Sequence, residues 1–183
     1  MKLFDEVQAT DQKGVDLDLD EALEQAIQII ENQHRADGKL IFIGNGGSAA
    51  IASHMAVDFW KNGGVKAITF NDAALLTCLS NDCGYSQVFE KSIEMFGEEE
   101  DVLIAISSSG QSENILRGAE MALTKGVKLI TLSGFDAKNP LRQKGAINFY
   151  VPVAHYGQVE VLHHALCHCI IDHFLANRKD SAK

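Results

Sequence analysis

The stretch LIFIGNGGSAAIASHM, residues 40–55, joins an apolar run to a glycine-rich turn and then to an alanine-rich segment. The apolar run predicts a buried strand and the glycines predict a tight turn. Alanine is the strongest helix former, so a helix is predicted over 48–61. The N-terminus of such a helix presents unpaired N–H groups and the positive end of its dipole, which favour an anion. The pattern therefore predicts a phosphate site, although a tight strand–helix turn without a ligand has the same features.

Short apolar runs alternate with helical segments along the rest of the chain. Further helices are predicted over 17–35, 86–96 and 158–176, with one more after the serine-rich stretch that begins at 107. Unbroken apolar strands that alternate with helices indicate a parallel sheet covered on both faces. The predicted strands are 39–44, 65–70, 101–107, 127–134 and 147–153.

This alternation predicts an α/β protein with a doubly wound, flavodoxin-like five-stranded parallel sheet and helices on both faces. An added N-terminal helix is expected over about 17–36, before an α/β core over about 39–176. We expect residues 1–183 to form a single domain, since no linker, repeat or low-complexity segment divides them. Ligands of such folds bind beyond the carboxyl ends of the strands.

The composition excludes several functional classes. The net charge is −9 and the chain has no lysine- or arginine-rich run, which argues against nucleic acid or an anionic membrane as a partner. No apolar run approaches the about 20 residues of a membrane helix, and the first residues lack a signal-peptide pattern. The four cysteines form no CxxC pair. A cytoplasmic protein with reduced thiols is predicted.

A second candidate anion loop, SSSGQSEN at 107–114, follows the third predicted strand. Its serine hydroxyls and backbone amides provide enough donors for three phosphate oxygens. Helix capping by Ser109 or Ser112 explains part of the pattern, but one cap does not need four serines. Neither loop matches the GxxxxGK[ST] pattern of a P-loop or the GxGxxG spacing of a dinucleotide site.

GNGGSAAIASHM together with ISSSGQSENI resembles the sugar isomerase (SIS) domain family, and within it the phosphoheptose isomerases. The similarity extends to LSNDCGYSQVF, VKLITLSG and the histidine-bearing last helix. It implies the SIS fold and the interconversion of sedoheptulose 7-phosphate with a heptose 7-phosphate aldose. It also implies a homotetramer with active sites between subunits. The apolar stripe of the N-terminal helix is then either monomer core or tetramer interface.

Aldose–ketose isomerisation needs a base and an acid or metal that stabilises the enediolate oxygen. His54 and Asp58 are four residues apart, and so share one face of the first core helix. Glu160, His164 and His168 have the same spacing along the last helix. A histidine on a helix face is more often exposed, or buried with its hydrogen bonds satisfied, than a ligand, but the clustering favours a site.

By resemblance, the family's metal and acid–base positions fall on His54, Asp58, Glu160 and His168, with His164 a possible extra ligand. The expected cofactor is a divalent metal, zinc, and no organic cofactor is expected. The resemblance implies His168 as proton donor–acceptor and leaves Asp58 or Glu160 as base. The family has glutamate at position 58 and glutamine at 160, and it has an arginine just before 160 that is missing here.

The predicted substrate contacts lie in the glycine-rich loop, in the serine-rich loop and at Asp82. A different phosphosugar substrate and a non-catalytic sugar-phosphate sensor remain alternatives, and a nucleotide-binding redox protein is a distant one. The serines and glycine amides would bind the phosphate and sugar oxygens, and Asn45 and Asp82 the sugar hydroxyls. The full predicted set is Asn45, Gly46, Gly47, Ser48, Asp82, Ser107, Ser108, Ser109 and Ser112.

Overall fold

Seven strands form one mixed sheet in the computed structural model, which describes residues 4–181. The sheet order is β2-β1-β7-β6-β5-β3-β4. The strands from β3 to β7 pair in parallel, and β1 pairs antiparallel with both β2 and β7. The bounds are β1 Gln8–Asp11, β2 Asp16–Leu17, β3 Leu40–Gly44, β4 Ala67–Thr69, β5 Val102–Ser107, β6 Lys128–Gly134 and β7 Ile147–Val151.

Helices cover both faces of the sheet, because alternate side chains of the central strands point to opposite faces. Phe42 and Ile104 pack toward one face, in a cluster with the first, second and last helices. Ile41 and Leu103 pack toward the other face, against the fourth and fifth helices. The bounds are α1 Leu19–Arg35, α2 Gly47–Lys61, α3 Ala73–Cys83, α4 Val88–Phe96, α5 Glu113–Thr124 and α6 Tyr156–Ser181.

The predicted α/β class and the doubly wound parallel core are confirmed. The core strands run β4-β3-β5-β6-β7, which is the flavodoxin-like order. The predicted strand count was wrong, since β1 and β2 extend the sheet at its β7 edge. These strands have four and two residues and no apolar run, so their sequence carries little strand signal.

Helix α3 was also missing from the prediction. It begins after Asp72, whose carboxylate accepts a hydrogen bond of 3.0 Å from the Leu75 N–H. None of its residues is fully buried, so its apolar side chains do not mark a clear inward stripe. The last helix begins two residues before the predicted 158 and continues to Ser181.

The apolar stripe of α1 belongs to the core of this chain. Leu23, Ala26, Ile27 and Ile30 are all buried in the cluster that contains Phe42 and Ile104. The helix begins after Asp18, whose side chain accepts a hydrogen bond of 3.0 Å from the Asp20 N–H. Within residues 4–181, no helix combines the length and the apolar character needed to cross a membrane.

Candidate active site

The first anion loop lies where β3 ends and α2 begins. Strands β3 and β5 are adjacent, with Gly44 opposite Ile106, so the loops after these two strands meet at one edge of the sheet. Gly46 has a φ of 54°, in the left-handed region that favours glycine. No side chain caps the first turn of α2, so its N-terminal amides are available to an anion.

The second anion loop connects β5 to α5. Ser112 precedes α5, yet its side chain makes no capping hydrogen bond and lies 3.3 Å from the Ser107 hydroxyl. The Ser109 hydroxyl accepts a hydrogen bond of 3.2 Å from the Gln111 N–H. The hydroxyl of Ser108 is buried and has no hydrogen-bond partner among the described residues. Capping therefore does not account for this loop, and an unpaired buried hydroxyl is typical of a site that binds a polar ligand.

The two loops enclose a cavity of about 240 Å³. All the predicted substrate-binding residues line it except Asp82. Asp82 lies in the last turn of α3, where its carboxylate accepts a hydrogen bond of 2.8 Å from the Asn81 amide. Two lining residues, Ile106 and Tyr156, belong to no predicted set, and a third, Glu160, was predicted as a catalytic and metal-binding residue. The lining residues are Asn45, Gly46, Gly47, Ser48, Ile106, Ser107, Ser108, Ser109, Ser112, Tyr156 and Glu160.

A carboxylate from α6 lies in the same cavity. Glu160 is the one acidic residue of the lining, and its carboxylate lies directly against Gly47. A side chain at position 47 would overlap the Glu160 carboxyl group. A carboxylate beside a phosphate cradle can act as a general base on a bound phosphosugar.

Three imidazoles meet beside this cavity. His54 of α2 faces His164 and His168 of α6, with ring centroids 5.0 Å and 5.5 Å away. Ring nitrogens of the three residues lie within 4.8 Å of one another. The Nε2 atom of His164 is buried without a partner among the described residues. Burial, followed by the neighbouring His168 and His54, lowers the pKa of His164, which favours the neutral imidazole that binds metals.

The two carboxylates of the predicted metal set lie outside this three-histidine group. Asp58 Oδ2 is 3.2 Å from His54 Nε2, and Asp58 also accepts a hydrogen bond of 3.3 Å from Asn62. Asp58 thus orients the His54 ring, as carboxylates beside metal-binding histidines commonly do. Glu160 lies in the cavity lined by serines. The structure therefore brings His54, His164 and His168 together, and it places the Glu160 carboxylate in the neighbouring cavity instead of among them.

Several residues near the site were missed by the sequence analysis. Tyr156 lines the cavity one helical turn before Glu160, and that spacing of four was a usable signal. Its ring packs edge-on against Phe135, with centroids 4.8 Å apart. Asn114 and Tyr85 both hydrogen-bond to Asn45. No local sequence pattern predicts these bonds, because they join segments far apart in the chain.

Comparison with known proteins shows which family this chain resembles. The SIS domain model matches residues 4–134. The phosphoheptose isomerase of Edwardsiella ictaluri is 38% identical over 158 residues, which covers 82% of this chain and 80% of that protein. The phosphoheptose isomerase of Helicobacter pylori is 36% identical over 168 residues, covering 85% and 86% of the two chains.

A solved structure gives the same result at the level of the fold. The structure of a phosphoheptose isomerase from Francisella tularensis matches this one with a TM-score of 0.79 at 31% identity. The match covers 87% of this chain and 86% of that one. With the two anion loops and the histidine cluster in the places described above, this chain belongs to the SIS domain family, among the phosphoheptose isomerases.

Proposed function

We propose that this protein is an aldose–ketose isomerase that interconverts sedoheptulose 7-phosphate and a heptose 7-phosphate aldose. One observation carries the proposal: a single cavity combines two anion loops with a carboxylate, and a cluster of three imidazoles lies beside it. The relatives named phosphoheptose isomerase support this choice of substrate.

The phosphate group would bind without a cationic side chain, because the cavity lining contains no lysine or arginine. The amide of Gly47 at the start of α2 and the hydroxyls of Ser48 and Ser108 are the proposed donors. The helix N-terminus adds positive potential at the same place. The unpaired Ser108 hydroxyl would gain a hydrogen bond when phosphate binds.

Glu160 is the proposed base. Its carboxylate lies in the phosphate cavity, whereas Asp58 lies beside His54. Glu160 would remove the proton from the carbon next to the carbonyl and return it to the former carbonyl carbon after the enediolate has formed. Asp58 then keeps an orienting role for His54.

The three-histidine group would hold a divalent metal, and zinc suits a set of imidazole ligands. His54, His164 and His168 are the proposed ligands, since their ring nitrogens lie close together. When bound, the metal supplies Lewis-acid stabilisation of the enediolate oxygen. An imidazole has two nitrogens, so the second nitrogen of His168 could still donate a hydrogen bond to a substrate oxygen.

The test is turnover of sedoheptulose 7-phosphate by the purified protein and three variants. We expect Glu160→Gln to lower kcat about 100-fold or more and Asp58→Asn to lower it less. Glu120→Gln is the matched control, because Glu120 lies on α5 and pairs with Lys144 Nζ at 2.9 Å. A larger loss in Asp58→Asn than in Glu160→Gln would move the role of base to Asp58.

Chelation and a substrate panel test the rest of the proposal. Turnover that is lost on chelation and restored by zinc supports the metal site. Turnover that is indifferent to chelation contradicts a catalytic metal but leaves the isomerase. Activity on another phosphosugar alone changes the substrate. If the protein binds sugar phosphates but converts none of them, it is a sensor.

A homotetrameric, cytoplasmic enzyme is also proposed. Two large apolar side chains, Trp60 on α2 and Val161 on α6, are 54% and 60% exposed in the single chain. Contacts between subunits can cover apolar side chains that a single chain leaves exposed. Light scattering after size-exclusion chromatography is the measurement, and a monomer at micromolar concentration would contradict the assembly.

A further inference from the structure

A reciprocal pair of side-chain amides joins the two anion loops. Asn45 of the first loop donates from Nδ2 to Asn114 Oδ1 at 2.9 Å, and Asn114 donates from Nδ2 to Asn45 Oδ1 at 2.8 Å. Asn114 lies in the first turn of α5 and is buried. The two residues are 69 positions apart, so this pair fixes the distance between loops that the sheet alone places only approximately.

A third segment reaches the same amide. The hydroxyl of Tyr85 donates to Asn45 Oδ1 at 2.8 Å. Tyr85 begins a short 3₁₀ turn, Tyr85–Gln87, which follows α3. Its side chain is half exposed and is not part of the cavity lining. The first loop, the second loop and the 3₁₀ turn are therefore tied together at one oxygen atom.

The hydrogen bonds of this network occupy most of the donor and acceptor sites of the two side-chain amides. An amide oxygen has two lone pairs, and Asn45 Oδ1 accepts from both Asn114 and Tyr85. Asn114 Oδ1 accepts from Asn45 and, at 3.0 Å, from the Ile115 N–H. Asn45 Nδ2 makes one bond within residues 4–181 and keeps one N–H. Asn45 can thus offer the cavity a donor but not an acceptor.

We propose that Asn114 and Tyr85 act through Asn45 as a positioning clamp for the two phosphate-binding loops. The inference rests on the proposed function, since it assigns these loops to the substrate phosphate. Both loops must contact the same group at once, so a small change in their separation weakens every hydrogen bond to it. Tyr85 is then a positioning residue that influences binding without touching the substrate.

The proposal distinguishes positioning from general stability. Removal of the Tyr85 hydroxyl frees one lone pair of Asn45 in a half-exposed region, where water can replace the lost donor. The fold should therefore lose little stability. The Asn45 amide is then held by Asn114 alone, so its position at the cavity is less firmly fixed. The effect should fall on phosphate binding, and on KM more than on kcat, because it concerns a non-reacting part of the substrate.

The experiment measures the affinity for inorganic phosphate by titration calorimetry. We expect Tyr85→Phe to bind phosphate about three- to tenfold more weakly, as for the loss of one hydrogen bond. Tyr150→Phe is the matched control, since its hydroxyl donates at 2.8 Å to the Phe135 carbonyl, outside the cavity lining. It should lower the melting temperature and leave phosphate affinity unchanged. With sedoheptulose 7-phosphate, Tyr85→Phe should raise KM and spare kcat.

A double variant tests the route through Asn45. If Tyr85 and Asn114 act on one amide, Tyr85→Phe combined with Asn114→Ala should lose less affinity than the product of the single losses. Wild-type protein that does not bind phosphate would overturn both the proposed function and the clamp. Wild-type protein that binds phosphate, with Tyr85→Phe binding equally well, would overturn the clamp alone, even if Asn114→Ala fails to fold.

Discussion

The carboxylate of Glu160 lies directly against the backbone of Gly47, at the first residue of α2. Gly47 lies at the end of the first anion loop, and Glu160 lies one turn before His164 on the last helix. The contact sets the position of the proposed base relative to the proposed phosphate site. It also explains why residue 47 has no side chain, since a Cβ there would occupy the place of the carboxyl group.

We expect Gly47→Ala to lower kcat/KM about 100-fold with little loss of stability. The methyl group would displace the Glu160 carboxylate by about 1 Å or more, and displacements of that size have such effects on rates. Alanine itself favours a helix over glycine, so the first turn of α2 should remain folded. Turnover of sedoheptulose 7-phosphate and the melting temperature are the two measurements.

Gly157→Ala is the control for this substitution. Gly157 lies in the first turn of α6, and a Cβ there meets no atom within 4 Å. It should retain wild-type turnover and an equal or higher melting temperature. Equal activity in Gly47→Ala would show that the carboxylate position does not control the reaction.

Ser108→Ala should separate phosphate binding from folding. The buried Ser108 hydroxyl has no partner among the described residues, so its removal should leave the melting temperature of the free protein unchanged or slightly higher. The same change should reduce the affinity for phosphate about tenfold, because the hydroxyl is paired in the complex. The measurement is the melting temperature with and without phosphate.

Ser92→Ala is the matched comparison. The Ser92 hydroxyl is buried too, but it donates to the Val88 carbonyl at 2.8 Å within α4. We expect a lower melting temperature and an undiminished stabilisation by phosphate. A wild-type phosphate response in Ser108→Ala would remove this residue from the proposed site.

The parallel core could be predicted because its signals are local. Runs rich in apolar residues mark the central strands, and the glycine-rich and serine-rich loops directly follow two of them, β3 and β5. The edge strands β1 and β2 could not, since their pairing depends on the exposed edge of β7 and not on their own residues. Helix α3 was missed because none of its residues is fully buried, so its apolar residues do not mark one inward face.

The sequence predicted the residues of the candidate site better than their positions relative to one another. Helical spacing placed His54 with Asp58 and aligned Glu160, His164 and His168. The first two residues and the last two are in contact in the structure. Spacing alone does not show that the three imidazoles converge while Glu160 enters the serine cavity, because that depends on how α2 and α6 pack. The Asn45–Asn114–Tyr85 network joins three segments far apart in sequence, and no local pattern encodes it.

His164→Ala should weaken zinc binding by at least about tenfold. Its ring nitrogen belongs to the three-histidine group, and its Nε2 atom is buried without a partner among the described residues. Loss of one of three protein ligands lowers metal affinity strongly. Zinc titration at pH 7.5, followed by calorimetry and by metal content after dialysis, is the measurement.

His173→Ala on the same helix is the control. His173 is exposed, and its ring bonds to the Cys169 carbonyl one turn earlier at 2.8 Å. Zinc affinity in that variant should equal that of the wild type. If His164→Ala binds zinc as tightly as His173→Ala, the metal does not reside on the three histidines.

The buried residue His163 should make the fold sensitive to acid. Burial lowers the pKa of His163 from 6.5 to about 4, and its Nε2 atom is 3.0 Å from the Ser133 carbonyl oxygen. Between these two values the unfolded chain binds a proton that the folded chain does not, so stability falls as the pH decreases from about 6.5 toward 4. At about 1.4 kcal/mol per pKa unit, the loss is on the order of 3 kcal/mol.

Urea unfolding at several pH values, with a chelator present, measures this loss. In His163→Gln the fall in unfolding free energy below pH 6.5 should become much smaller, because glutamine has no titrating group. A residual slope should remain, since the pKa of His164 is lowered as well. His155→Gln, which changes an exposed histidine before α6, should retain the wild-type slope. An unchanged slope in His163→Gln would assign the acid sensitivity to other groups.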